Sequence, residues 1–162
     1  MNDNSLLTGI ASQKIERVVQ FRVKESSDLS KAIEEAVELE EIQNGVIVSG
    51  LGALTKAVFR NLKWFPEHFP VKPEDRLYYT VEKPLELLSL SGWVTRREDG
   101  TAEIHGHFSA STVDENKIIS LGGHLTEGTI AGIKVVVAIL VLEGGSPFAG
   151  FDEKTKTFDI MF

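Results

Sequence analysis

The sequence predicts an α+β fold, a mostly antiparallel β-sheet packed with one main early α-helix. Three observations predict it. Helical spacing occurs in a single stretch near the N-terminus, the C-terminal half is dense in strand-like stretches, and the connections between those are too short for crossover helices. No internal repeat, low-complexity tract or linker interrupts the 162 residues, and 42% hydrophobic content suits one domain with a substantial core. The expected organisation is a flexible N-terminus over residues 1–13, a domain over 14–145, and a tail over 146–162 with a possible short strand.

From Ile15 to Val23, Val19, Phe21 and Val23 alternate with Gln20 and Arg22, as in a half-buried strand. Glu25-Ser-Ser-Asp28 is a capping cluster, and residues 29–42 gather Leu29, Ala32, Ile33, Ala36, Val37 and Leu39 on one helical face. The acidic run from Glu38 to Glu41 reads as the solvated side of that helix. Asn44-Gly45 is expected to end it, since both residues tolerate the left-handed conformation of a C-cap. Val46 to Ser49 then reads as a buried strand, and Gly50-Leu-Gly52 as a backbone turn. It lacks the further glycine of a dinucleotide fingerprint, position 55 being Thr55, and no Walker lysine-serine pair follows.

Ala53 to Phe59 is expected to form another strand. From Arg60 to Pro70 every period breaks, and Trp64, Phe65 and Phe69 among prolines suggest an ordered loop covering a core or pocket. His68 in this loop reads as a surface or packing residue. Arg76 to Val81, Leu85 to Val94, Ala102 to Ala110, Lys117 to Leu125 and Thr129 to Leu142 follow as strands, with Glu98-Asp-Gly100 as a hairpin turn. Thr157 to Met161 is the possible last strand. The longest apolar run, Val135 to Leu142, is about half of the roughly 20 residues a membrane-spanning helix needs, and it reads as a buried strand.

With 24 acidic and 17 basic residues the net charge is −7, which disfavours nonspecific binding to a phosphate backbone. Arg96-Arg97 and Arg60 to Lys63 are the only modest basic clusters, and each reads as solvated surface. Cysteine is absent, so a metal site for a soft ion has only histidine and carboxylate to draw on. The N-terminus has no basic region followed by an apolar stretch and small-residue cleavage site, so a cytoplasmic location is expected.

Three of the four histidines fall within 105–124. Side chains alternate along a strand, so His105 and His107 share a face. A hairpin centred on Asp114–Glu115 would set position 105 opposite 124, placing His124 on that face too. A register shift of two residues would keep it there, and a shift of one would remove it. Three imidazoles at such spacing can hold a divalent metal, with zinc expected at nitrogen distances of roughly 2.0–2.1 Å. An open fourth position is the arrangement that acidifies a water ligand and permits hydrolysis. Glu127, three residues after His124, is the first candidate for a general base, and Glu103, on the strand face of His105, is the second.

Leu85-Glu-Leu-Leu-Ser-Leu-Ser-Gly92, His105-x-His107 and Gly122-Gly-His124-Leu-x-Glu-Gly128 occur in that order. Together they resemble the plant- and prokaryote-conserved (PPC) domain, in its prokaryotic stand-alone type without an AT-hook. The resemblance covers about residues 14–143 and includes Val48-Ser-Gly-Leu-Gly52. It implies an α+β domain assembling as a homotrimer, with prokaryotic members carrying a histidine triplet that binds metal in some of them. The matching positions here are His105, His107 and His124. Plant members use an arginine-containing motif at the segment like Glu86 to Gly92 to contact nuclear proteins. This chain has Pro84 where that arginine stands, so the role does not transfer. The minor-groove contact made by the plant proteins' Arg-Gly-Arg-Pro hook is absent as well.

Three functional expectations follow. The first is a trimeric, zinc-containing protein that binds a small, anionic ligand with a regulatory role. The second is a metal-dependent hydrolase of a small ester or phosphate-type substrate, with Glu127 moving the proton. The third is a DNA-associated regulator by family analogy, which the acidic charge disfavours.

Overall fold

The computed structural model describes residues 6–162. Of the N-terminal stretch expected to be flexible, residues 1–5 lie outside the described part. In chain order the elements are β1 (Ile15–Val23), α1 (Leu29–Leu39), β2 (Gly45–Leu62), a short 3₁₀ turn (Pro73–Asp75), β3 (Arg76–Val81), β4 (Leu85–Arg96), β5 (Ala102–Asp114), β6 (Lys117–His124), β7 (Ile130–Leu142), β8 (Phe148–Asp152) and β9 (Thr157–Met161). This is the expected α+β architecture, a mostly antiparallel sheet with one helix.

Seven strands make the main sheet, in the order β1-β7-β2-β4-β5-β6, with β3 on the far half of β2. Every pairing in it is antiparallel. The path curls until β6 meets β2 again at one pair, Arg60 opposite His124, so β2, β4, β5 and β6 form a closed circuit. Phe59 and Phe108 stack inside it with ring centroids 4.7 Å apart, and both are buried. Leu29, Ile33 and Val37 of α1 are fully buried in the same continuous core as Ile47, Leu90, Val94, Val135, Val137 and Ile139.

Both ends of α1 are specified by sequence, one of them differently from expectation. Asp28 caps the N-terminus, its carboxylate accepting from the backbone N–H groups of Ser30 and Lys31. The C-terminus stops at Leu39, before Asn44-Gly45. Glu41 takes the left-handed conformation at φ 51°, its N–H donating to the Glu38 carbonyl, while Ile42 N–H donates to the Val37 carbonyl. This is a Schellman motif, with fully buried Ile42 as its apolar contact. Burial of Ile42 sets the stop, and Asn44 becomes a buried residue at the entry to β2.

The expected turn at Gly50-Leu-Gly52 is also corrected. No turn separates the two predicted strands, because β2 runs unbroken from Gly45 to Leu62. Its register against β7 shifts between Gly52 and Leu54, so the glycines lie at an irregularity within one bent strand. Gly52 has φ 144°, and a Cβ there would fall 1.8 Å from the Lys134 carbonyl oxygen. The bend lets β2 pair with β7 and β4 first, and then with β3 and β6.

Along β7, Val135, Val137, Ile139 and Val141 are buried while Val136, Ala138, Leu140 and Leu142 are half-buried. The tail after residue 146 is more regular than expected, since β9 pairs with β8 in a separate two-stranded hairpin. Among the described residues no helix is long and apolar enough to cross a membrane.

Candidate metal centre

Strands β5 and β6 join through a two-residue turn, Glu115-Asn116, both at positive φ as a tight antiparallel hairpin requires. The ladder runs from Asp114 opposite Lys117 to His107 opposite His124. Position 124 therefore faces 107, two residues from the expected partner at 105. Side-chain parity is unchanged by that shift, and all three imidazoles stand on one face.

Their ring centroids are 5.3 Å apart for His105 and His107, 4.9 Å for His105 and His124, and 5.0 Å for His107 and His124. The Nε2 atoms of His105 and His107 are 3.2 Å apart, which in the metal-free protein requires one to donate and the other to accept. One ring nitrogen from each histidine lies within 4.8 Å of the others. Two ligands at about 2.05 Å on a tetrahedral zinc are about 3.3 Å apart, so the His105–His107 separation fits a shared ion.

Electrostatics favours the neutral, ligating form. Burial lowers the pKa of His124 to about 3, and the Arg60 cation and the two neighbouring histidines push in the same direction. His107 is lowered too, by burial first and then by His105 and Arg60. Neutral imidazole keeps the lone pair a metal needs.

Two close contacts hold His124 at the seam. Asn61 Nδ2 donates to the Gly122 carbonyl at 2.9 Å, and Gly123 packs so tightly that an added Cβ would lie 2.9 Å from Asn61 Nδ2 and 3.1 Å from the Arg60 carbonyl oxygen. Beyond His124 the chain turns inward. Leu125 N–H donates to the Gly106 carbonyl, Leu125 is buried, and Gly128 N–H donates to Asp28 at the cap of α1.

That turn decides where the two carboxylates go. Glu127 is carried to α1, where its carboxylate lies 3.4 Å from Lys31 Nζ, well exposed and outside the lining of the histidine cavity. Glu103 lies in that lining, paired with Arg97. Glu103 thus lines the same cavity as the three histidines, and Glu127 does not.

The cavity is open and has a volume of about 1040 Å³. The aromatic loop after β2 forms one wall through Trp64, Phe65 and Phe69, and the β8–β9 hairpin another through Thr157 and Phe158. Trp64 is fixed by its Nε1–H, which donates to Asp75 Oδ1 at 2.7 Å, while Asp75 Oδ2 accepts from Lys72 N–H. The Lys72 N–H, with the Trp64 indole, holds the Asp75 carboxyl below the usual range against the opposing effect of burial. His68 lies apart, lining a smaller cavity of about 500 Å³ with Pro66 and Lys72.

Arg60 and Arg76 were missed by sequence reasoning, which took the basic residues from 60 to 63 as solvated surface. Both line the cavity half-buried, and both bear on His124. The other cluster is taken up internally: Arg96 pairs with Glu38 and donates to the Ile42 carbonyl, and Arg97 pairs with Glu103 and lies 3.9 Å over the Phe158 ring. Pairing of β2 with β6 joins positions as distant in sequence as Arg60 and His124, and no local pattern signals it.

Among solved structures, the chain is similar to a metal-containing protein of Archaeoglobus fulgidus, with a TM-score of 0.74 and 26% identity over 95% of this chain and 99% of that one. A plant- and prokaryote-conserved (PPC) protein of Pyrococcus horikoshii aligns with a TM-score of 0.70 and 24% identity over 93% and 95%. A Bacteroides thetaiotaomicron protein whose name carries a provisional DNA-binding label shares the fold at 18% identity and a TM-score of 0.71, over 93% and 96%. No curated protein sequence matches significantly. The sequence profile of the Plants and Prokaryotes Conserved (PCC) domain, also abbreviated PPC, matches residues 10–143, and the chain belongs to that family.

Proposed function

We propose that this protein holds a divalent metal, zinc, on His105, His107 and His124, assembles as a homotrimer, and uses the metal to bind a small anionic ligand with a regulatory role. Convergence of three imidazoles from two adjacent strands carries this reading. The Archaeoglobus relative named as metal-containing supports it. A three-histidine zinc site keeps a position open for a ligand and supplies Lewis acidity there. The chain's own residues fix the geometry. Strand pairing sets the ring spacing, Asn61 and Gly123 hold β6 against β2, and burial keeps His124 unprotonated.

Self-association is supported by the outer face of the sheet. Val18, Val48 and Leu51 are 55%, 47% and 58% exposed there, beside half-buried Val136 and Leu140. Such an apolar stripe across adjacent strands suits burial against another copy.

Elemental analysis of protein purified without a histidine tag tests the metal. About one zinc per chain is expected, and His107→Ala or His124→Ala should lose most of it. Wild-type protein that stays metal-free after zinc reloading would defeat the assignment.

Hydrolysis of a small ester or phosphate is a second reading, favoured by the Glu103 carboxylate in the cavity wall. It calls for loss of turnover in Glu103→Gln with metal retained. Glu127→Gln serves as the parallel test of the more distant carboxylate, and unchanged turnover there removes Glu127 from the chemistry.

A further inference from the structure

We infer that the histidine cavity selects an organic oxyanion with a planar apolar body, its head held by Arg60 and Arg76 beside the histidines and its body by Trp64, Phe69 and Phe158. This rests on the three-histidine reading above and names the class of ligand.

The charge argument starts from partners. The cavity lining holds four cationic side chains, Arg60, Lys63, Arg76 and Arg97, against two acidic ones, Glu103 and Asp159, in a chain whose net charge is −7. Two of the cations are engaged. Lys63 Nζ donates to the Glu74 carbonyl and sits 5.5 Å from the Trp64 ring, and Arg97 pairs with Glu103. Arg60 and Arg76 make no ion pair or side-chain hydrogen bond among the described residues, although both are half-buried. Arg76 feels the Asp75 carboxylate, but that group's oxygens are taken by Trp64 and the Lys72 N–H. Arg60 has no paired carboxylate among the described residues, and an anionic ligand head would give both arginines a direct partner.

The body follows from the rings. Trp64, Phe69 and Phe158 are 54%, 39% and 41% exposed, yet two of them are held in place. The Trp64 indole is tied to Asp75, and Phe158 lies under the Arg97 guanidinium and meets Phe151 in a T-shaped contact with ring centroids 5.6 Å apart. Rings fixed before a ligand arrives lose little freedom when it stacks on them. A bare inorganic ion would leave this apolar wall wet and most of the cavity unfilled. Phe158 comes from β9, outside residues 10–143 that match the family, so the body is read partly by the C-terminal hairpin.

The test is calorimetric titration of the full chain, zinc-loaded and zinc-free in parallel. Phenylacetate and phenyl phosphate are the aromatic oxyanions, with acetate, inorganic phosphate and neutral phenylacetamide as controls. At least one aromatic anion should bind roughly tenfold or more tightly than its body-less ion and than phenylacetamide. Which of the two binds better identifies the head as carboxylate or phosphate. Arg60→Gln and Arg76→Gln should each weaken that binding by roughly tenfold with zinc content and circular dichroism unchanged, and Phe158→Ala should abolish the preference for the aromatic body. Equal binding of phenylacetate and acetate together with equal binding of phenyl phosphate and inorganic phosphate, or phenylacetamide as good as the anions, overturns the inference. Zinc uptake without selection defeats this inference alone, whereas arginine-dependent selection without zinc uptake defeats the metal reading alone.

Discussion

Burial of His124 makes the stability of the fold depend on pH. The His124 pKa is about 3 in the folded protein, from burial first and then from nearby Arg60, against an ordinary value of 6.5. The unfolded chain therefore binds the extra proton between those values, and stability rises with pH across that window. For metal-free protein, denaturant midpoints should climb from pH 4 toward pH 6.5, and His124→Gln should flatten the climb. At the other end of the turn, Asp28 accepts from Ser30, Lys31 and Gly128. Asp28→Ala removes a helix cap and leaves Gly128 N–H without its acceptor. The expected loss is roughly 1–2 kcal/mol, measurable by urea denaturation.

At the scale of elements, the β5–β6 hairpin fixes the site through parity. Its turn residues Glu115 and Asn116 sit at φ 44° and 64°, a conformation that Asn-Gly adopts with less strain. Replacing the pair with Asn-Gly should stabilise the protein by about 1 kcal/mol and leave metal content unchanged. Inserting one residue into β6 between Ile119 and His124 should turn His124 to the opposite face and abolish metal binding while the fold survives. The same strands show what a sequence can disclose. The alternation of His105 and His107 and the odd separation to His124, which a hairpin with a two-residue turn converts into a shared face, made the triplet legible, although the turn lay one residue away from its expected centre. The helix and most strands were legible for the same reason, since their periods are local. The bend at Gly52 was not, because it answers to the Lys134 carbonyl on a distant strand. Nor was the helix stop, where burial of Ile42 outweighed the preference of Asn44-Gly45 for a cap. Strand β8 escaped because its five residues, Phe148 to Asp152, alternate too briefly to stand out.

For the whole molecule, the sheet has a filled inner face and an outer face that stays apolar. Light scattering should give three times the 17.9 kDa chain mass, and Val18→Lys with Leu51→Lys should shift the population toward monomer without loss of secondary structure. A wild-type protein that remains monomeric would remove the assembly from the proposal and leave the metal site standing. The cavity is built at a similar scale, with walls contributed by β2, the aromatic loop, β5, β6 and the C-terminal hairpin. No single segment of the sequence contains it.

The meeting of β2 and β6 has a kinetic consequence. One ladder pair, Arg60 with His124, and one side-chain bond from Asn61 close that circuit, whereas β5 and β6 share eight paired positions. A closure with so few bonds opens more often than the ladders around it, exposing amide hydrogens to exchange long before the core unfolds. A ligand bound to His124 and to both β5 histidines would act as a clasp on β6, since an ion that binds only the closed form stabilises it by mass action. Hydrogen–deuterium exchange should therefore slow on zinc loading most of all at Gly122, Gly123 and His124, and hardly at all in α1.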